Sequence, residues 1–431
     1  MNKFLFKNFV LIKFISCFVL SILTFFTFRS DLVYHFDFKI LISFFLIQII
    51  IWSIVFFKKN KKISIILFNL FFLVFLNLIL TPIFHLNTFD VPARQPNYKI
   101  TKTYKGDFFK GMFSGTHLIS SDEKGYRTNK KINYKIKQKN DLRIFTIGAS
   151  TTEQGETDNK KTWSNLLANK LEKLTDRNIE MINAGMAGLR MKHHFISFKK
   201  IRKYNPDVVI FLIGINDWNH HIINEKKNYL FPKYEISYRY KNSILFKVFS
   251  NINKQINKKL FNINKKNIKR TNLLSPEIDT EAYLSPQINS LEKRNIIKKF
   301  QPTNIFQEYD YWLSYTIDEC KKNAIICLFM DQPTAYNRNI SDKLKKRLWM
   351  TPPNQDYTLT LEDLIVTSAF YNNWLKYKAK QEKVNFYLLS EKIEPNTNYL
   401  IDDCHFSEKG SEKVSDLLAN YISLNLKSIL N

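Results

Sequence analysis

Ser150 stands in the stretch Arg143-Ile144-Phe145-Thr146-Ile147-Gly148-Ala149-Ser150-Thr151-Thr152, and Asp402 and His405 stand in Asp402-Asp403-Cys404-His405-Phe406-Ser407-Glu408-Lys409-Gly410. A serine hydroxyl is a poor nucleophile until a base takes its proton, so a histidine must come within hydrogen-bond reach of it. That histidine needs an acceptor on its other nitrogen, to fix the tautomer and stabilise the imidazolium. Asp402, three residues before His405, can fold back on the same turn to provide one, with Asp403 as the reserve. Attack on an ester creates an oxyanion, which must meet donors already aimed at it. Three candidates are the backbone N–H of Ser150, the backbone N–H of Gly188 in Asn183-Ala184-Gly185-Met186-Ala187-Gly188, and the side-chain amide of Asn216 in Gly214-Ile215-Asn216-Asp217. Glycine lets the main chain approach closely, and asparagine carries two N–H donors without charge. The competing reading of Ser150 is a helix cap, a common role for serine.

These segments are useful only if one scaffold gathers them. Short apolar runs at Arg143–Ile147, Glu180–Asn183, Asp207–Ile213, Ala324–Met330 and Asn385–Leu389 read as strands; helical stretches separate them at Trp163–Leu174, Phe195–Tyr204, Tyr309–Asn323 and Leu361–Gln381. Such alternation predicts an α/β domain with a parallel sheet covered on both faces. In open α/β sheets the ligand crevice lies beyond the carboxyl ends of the strands. Ser150, Gly188, Asn216 and His405 all follow predicted strands, so all four segments are expected to converge there.

Gly148-Ala149-Ser150, Gly188, Gly214-Ile215-Asn216-Asp217 and Asp402-x-x-His405 resemble, in order, the four sequence blocks of the SGNH hydrolases, the GDSL-like esterases and lipases. The resemblance covers the chain from about Gly125 to its end. It implies a flavodoxin-like three-layer α/β/α fold, acyl-ester hydrolysis, and Ser150, Gly188, Asn216 and His405 as the namesake residues. Ala149 replaces the Asp of the family's Gly-Asp-Ser, a position that varies and is not the nucleophile. Gly125-Tyr126-Arg127 and His405-Phe406-Ser407-x-x-Gly410 also resemble segments of membrane-anchored members.

The apolar content is concentrated in the first ninety residues. Phe9–Phe28, Ile40–Phe57 and Ile63–Phe84 each approach the roughly 17–25 residues of a bilayer-spanning helix. The first could be a signal peptide, but no alanine precedes Ala93 to make an Ala-x-Ala cleavage site, so it reads as an uncleaved anchor. Lys58, Lys59, Lys61 and Lys62 crowd the loop between the second and third spans, which makes that loop cytoplasmic. The amino terminus, with Lys3 and Lys7, is then also cytoplasmic, and everything after Phe84 is outside. Residues 1–86 thus read as a multi-pass membrane domain, 87–140 as a juxtamembrane linker leading into the next domain, and 141–431 as the hydrolase-like domain with an insertion at 219–302.

The formal net charge of +27 would suit an anionic membrane surface, an acidic glycan or nucleic acid, though lysine is in excess along the whole chain. Within the insertion, residues 241–270 carry nine basic residues and no acid, with Leu245, Val248, Phe249, Ile252, Ile256 and Leu260 at helical spacing. A basic amphipathic helix can lie flat on an anionic bilayer, or pack on its own domain. Nucleic acid is not expected, because no binding motif appears and the topology keeps the domain out of the cytosol. Four cysteines show no metal-ligand spacing, and one bridge among them is possible but not decided by sequence. The pairs His193-His194 and His220-His221 lack an acidic or cysteine partner at ligand spacing, so no metal and no cofactor are expected.

The sequence therefore predicts a membrane-anchored serine esterase or acylhydrolase acting on a glycan or lipid acyl ester on the periplasmic or extracellular side. Two alternatives stand beside it: an O-acyltransferase of cell-envelope glycans using the same residues, and a non-catalytic binding or scaffold protein of the same fold.

Overall fold

The computed structural model of the chain describes residues 94–104, 115–225, 296–345, 347–348 and 357–430. All of them fall within one compact unit, Asp90–Phe231 with Ile268–Asn431. In chain order its strands are β1 (Lys99–Tyr104), β2 (Gly115–Ser120), β3 (Arg127–Thr128), β4 (Asp141–Gly148), β5 (Asn178–Asn183), β6 (Val208–Leu212), β7 (Ile296–Lys298), β8 (Ile326–Met330), β9 (Tyr357–Leu359) and β10 (Asn385–Tyr387). The helices are α1 (Ser150–Glu153), α2 (Trp163–Leu171), α3 (Met191–Ile201), α4 (Ile215–Ile223), α5 (Gln307–Lys322), α6 (Asp342–Lys345), α7 (Leu361–Gln381), α8 (Glu408–Asn425) and α9 (Lys427–Leu430).

Every residue of β4 and β6 is buried. β-branched and aromatic side chains project from both faces of these strands, which is stable only where helices cover both. The main sheet runs β10-β8-β6-β4-β5-β3, parallel except for β3, which pairs antiparallel with β5 at the edge. Taken without β3, this is the flavodoxin-like strand order, with its switch point between β4 and β6. Right-handed crossovers then put α2 on one face and α3, α5 and α7 on the other. The packing agrees, because α2 lies against α8 and α3 against α5. Phe211 of β6 and Phe329 of β8 stack with ring centroids 4.8 Å apart, and Phe198 of α3 meets Phe211 edge-on.

The structure moves several boundaries. The stretch read as a linker supplies the β1–β2 hairpin and edge strand β3, so much of it belongs to the domain itself. Residues 219–223, assigned by sequence to the insertion, complete α4. At the insertion's far end β7 pairs in parallel with β9. The long helix α8 is not among the elements expected from sequence, although Ser407 caps it by accepting a hydrogen bond from the N–H of Gly410 at 3.0 Å. The three apolar spans (9–28, 40–57 and 63–84) and the basic stretch 241–270 lie outside the described residues. Among the described residues no helix is long and apolar enough to cross a membrane. Cys320 in α5 and Cys327 in β8 form a disulfide, which sequence alone had left undecided.

One polar contact is built into the core of β4. Arg143, 1% exposed, donates to Glu180 Oε2 of β5 at 2.6 Å, and its other nitrogens reach the carbonyls of Tyr204 and Asn133 at 2.6 and 2.9 Å. Removing one partner of a buried pair strands the other charge. Arg143→Leu is expected to lower unfolding stability by about 3–5 kcal/mol, with part of the loss recovered in Arg143→Leu/Glu180→Leu, both read from urea midpoints.

Candidate active site

Strand β4 runs into α1 with only Ala149 between them, and Ser150 is the first residue of that helix. The cap position belongs to Ala149, so Ser150 is not the helix cap that the competing reading made it. The junction is tight. A Cβ at Gly148 would stand 2.1 Å from Thr152 Oγ1 and 2.6 Å from the carbonyl of Leu212, and one at Gly185 would stand 2.5 Å from the amide nitrogen of Glu153. Only glycine fits at either place. Arg127 clamps the far end of α1 by donating to the carbonyls of Glu153, Gln154 and Thr157 at 2.5, 2.8 and 2.6 Å. Burial, helped by Arg94 nearby, pushes the Arg127 pKa down to about 9, which leaves it cationic at neutral pH.

His405 reaches Ser150 from the opposite end of the chain, with Nε2 2.7 Å from Ser150 Oγ. Its Nδ1 lies 2.8 Å from each carboxylate oxygen of Asp402. Asp402 Oδ1 also accepts the backbone N–H groups of Cys404 and His405, both at 3.0 Å, so the turn fixes the carboxylate as well as the ring. The loop is closed behind them: Ile401 N–H donates to the carbonyl of His405 at 2.9 Å, and Leu400 bridges to Phe406. A Cβ at Gly410 would stand 2.1 Å from the carbonyl of Tyr399, which explains the glycine in that block. Asp403 points elsewhere, its Oδ1 accepting the Tyr336 hydroxyl at 2.8 Å, so the structure gives the reserve carboxylate a different partner.

The expected oxyanion donors come to the same ends of β5 and β6. Gly188 has φ +75°, a left-handed conformation that side chains other than glycine's rarely take, and it lies exposed. Among the described residues neither its N–H nor that of Ser150 is spent on a protein acceptor. One N–H of the Asn216 amide donates to the carbonyl of Leu189 at 2.9 Å, tying the loop after β5 to the start of α4. Asn183 binds the two neighbouring segments together: its Nδ2 donates to the carbonyl of Thr152 at 2.7 Å, and its Oδ1 accepts the N–H of Gly185 at 2.9 Å.

Among the described residues, two other histidines are engaged by different partners. His193 Nδ1 accepts the N–H of Arg190 at 3.0 Å, and His221 Nδ1 lies 2.8 Å from the Tyr371 hydroxyl. Burial lowers the pKa of His193 and of His194 to about 3, and of His221 to about 4, so all three are neutral. His220 stands 3.5 Å from Glu308, an acid that the fold and not the spacing brings near, but Arg190 and Lys192 share that carboxylate. Asp217 accepts the N–H of Met191 with both oxygens at 3.0 and 3.1 Å, and burial raises its pKa to about 7. Among the described residues, the one cluster of ligand-type side chains within 4.8 Å of one another is Asp402, Cys404 and His405, the same turn that faces Ser150.

Sequence reading missed Gln332. It follows β8, is 1% exposed, and its Oε1 accepts the hydroxyl of Thr151, next to Ser150, at 3.3 Å. The available signal was its place just past the carboxyl end of a parallel strand.

A family model described as GDSL-like Lipase/Acylhydrolase matches residues 144–418, more than half of the chain. The chain belongs to this family. It is accordingly a hydrolase of ester bonds. Solved structures similar to this GDSL-family chain include an acetyl xylan esterase, AlAXEase, at 13% identity and TM-score 0.36, covering 65% of this chain and 100% of that one. A variant of Axe2, an acetylxylan esterase from Geobacillus stearothermophilus, is similar at 12% identity and TM-score 0.36, covering 65% and 94%. The psychrotrophic esterase EstA from a Pseudoalteromonas species is similar at 11% identity and TM-score 0.34, covering 66% and 99%. Among curated proteins, none matches.

The electrostatics of the His405 turn set a pH dependence. Burial opposes the imidazolium, yet the Asp402 carboxylate outweighs it and holds the His405 pKa well above the ordinary histidine value. Burial alone would raise Asp402, but His405 and the two turn amides keep it below the ordinary carboxylate range. A general base must be neutral, so kcat/KM should rise with pH through the apparent pKa of the pair and level off above it. Asp402→Asn removes the group that favours the proton; the acid limb should move to lower pH while the plateau falls by about 10⁴-fold, as read from a pH–rate profile.

Proposed function

We propose that this GDSL-family hydrolase is a membrane-anchored serine esterase acting on an acyl ester outside the cytoplasm. Ser150 is the nucleophile, His405 the general base and acid, and Asp402 the group that orients the imidazole. The observation that carries this reading is the continuous line from Asp402 to His405 Nδ1 at 2.8 Å and from His405 Nε2 to Ser150 Oγ at 2.7 Å, both within proton-transfer reach. Ser150 Oγ attacks the acyl carbon while its proton passes to His405 Nε2. The carbonyl oxygen becomes an oxyanion met by the N–H groups of Ser150 and Gly188 and the amide of Asn216. Collapse expels the alcohol, which takes the proton from His405, and leaves an acyl-serine. Water, deprotonated by the same imidazole, then releases the acid and restores Ser150.

The external location is supported by the lysine-rich loop between the second and third apolar spans. The Cys320–Cys327 disulfide supports it independently, because such bonds persist mainly in oxidising compartments. A second reading, transfer of the acyl group to an envelope glycan, is favoured by the apolar amino-terminal spans, which would hold the domain beside envelope polymers. It uses the same residues and differs only in the acceptor, a sugar hydroxyl in place of water.

A fluorophosphonate probe should label the folded full chain and leave Ser150→Ala unlabelled. Absence of labelling in the folded wild type would return the domain to a binding or scaffolding role. With an acetyl ester as donor, acyl-glycan formed in competition with free acid would assign transfer, and free acid alone would assign hydrolysis.

A further inference from the structure

The Gly188 loop must hold an N–H toward the oxyanion, but little packing restrains it. Ala187 and Gly188 are exposed, and nothing lies within 4 Å of where a Cβ on Gly188 would be. Glycine also has the widest choice of backbone conformations. Hydrogen bonds must therefore fix the loop. The N–H of Met186 donates to the carbonyl of Gly148 at 3.1 Å on one side, and the Asn216 amide holds the carbonyl of Leu189 on the other. Between these lies a bond from the N–H of Ala187 to Glu153 Oε2 at 2.7 Å.

Glu153 is a buried carboxylate that the reaction itself does not use. It is the last residue of α1, 6% exposed, and its own N–H donates to the carbonyl of Ala149 at 2.8 Å, so its backbone moves with that of Ser150. Its other oxygen, Oε1, is 2.5 Å from Arg94. Burying a carboxylate is costly unless it is paired and hydrogen-bonded, and here the two oxygens divide those tasks. A charge-assisted acceptor is also a stronger anchor for a backbone N–H than a neutral one.

We propose that Glu153 is a positioning residue which locks the oxyanion loop to the nucleophile's helix through Ala187, with Arg94 holding the carboxylate in place. One short helix would then carry the attacking hydroxyl at its first residue and the tether of the oxyanion donor at its last. The proposal rests on Ser150 being the nucleophile, and adds that the Gly188 donor is aimed by a side chain and not by packing.

The test uses the full chain with p-nitrophenyl acetate and a fluorophosphonate. Glu153→Ala removes the acceptor; kcat should fall about 10- to 100-fold, less than the roughly 10²–10³-fold cost of deleting an oxyanion donor outright. KM should stay within about threefold and the acid limb of the pH profile should not move, because ground-state binding and His405 are untouched. Glu153→Gln keeps an oxygen able to accept from Ala187 and should recover most of kcat. Arg94→Met should show the same pattern as Glu153→Ala, but weaker. Full kcat in Glu153→Ala, or equal damage in Glu153→Gln and Glu153→Ala, overturns the proposal. If Glu153→Ala does not fold, Arg94→Met decides: a folded variant with wild-type kcat and labelling rate overturns it, and a selective fall in both supports it. Wild type that neither labels nor hydrolyses would instead refute the serine-esterase reading, so the two failures are distinct.

Discussion

The turn from β4 into α1 is the constraint on which the rest of the site depends. A fully buried strand delivers its last residue against the neighbouring strand's end, and a helix must begin at once for Ser150 to face the crevice. That geometry leaves no room for a side chain at Gly148, where a Cβ would overlap Thr152 and the Leu212 carbonyl. It also lets the backbone after β5 come against α1 at Gly185, three residues before Gly188. The end of β4, the start of α1 and the loop after β5 therefore come together because three backbones can touch.

Polar groups stabilise this arrangement in a way that differs from the hydrophobic sheet beneath it. Hydrophobic burial of the sheet's two faces is non-directional. The site needs direction. Asp402 accepts two backbone N–H groups while facing the imidazole, Asn183 both donates and accepts between segments, and Arg127 gathers three carbonyls at the end of α1. Each of these groups is buried and satisfied. A buried polar network with every member paired rigidifies its surroundings, whereas a half-satisfied one costs stability.

Much of this was legible from residue order. The inner strands β4, β6 and β8 showed as apolar runs because they are buried almost throughout, and Leu361–Gln381 was readable as a helix to its ends. Ser150, Asp402 and His405 were legible because their chemistry restricts residue type as well as position. The illegible parts have identifiable causes. β3 is two residues long and owes its conformation to Asn183 and Ile182 across the sheet edge, a tertiary effect with no local pattern. The α4 boundary was misplaced because Asn219 and the paired histidines look like loop composition, while burial of Trp218, His221 and Ile222 makes them helix. Arg127 appeared only as part of a resemblance. Nothing in its neighbours signals that its side chain crosses to the carbonyls of a helix some twenty-five positions later.

That crossing bears on what counts as the enzyme's minimal unit. The stretch of chain shared with the family starts at residue 144, inside β4. Arg94, the β1–β2 hairpin and Arg127 all precede it, yet two of their side chains end on Glu153 and its carbonyl. A fragment excised at the homology boundary would carry Ser150, Asp402 and His405 but would have lost the braces beneath the helix that Ser150 begins. Similarity in sequence and the bracing of this helix thus mark different edges on this polypeptide, and the second takes in Arg94.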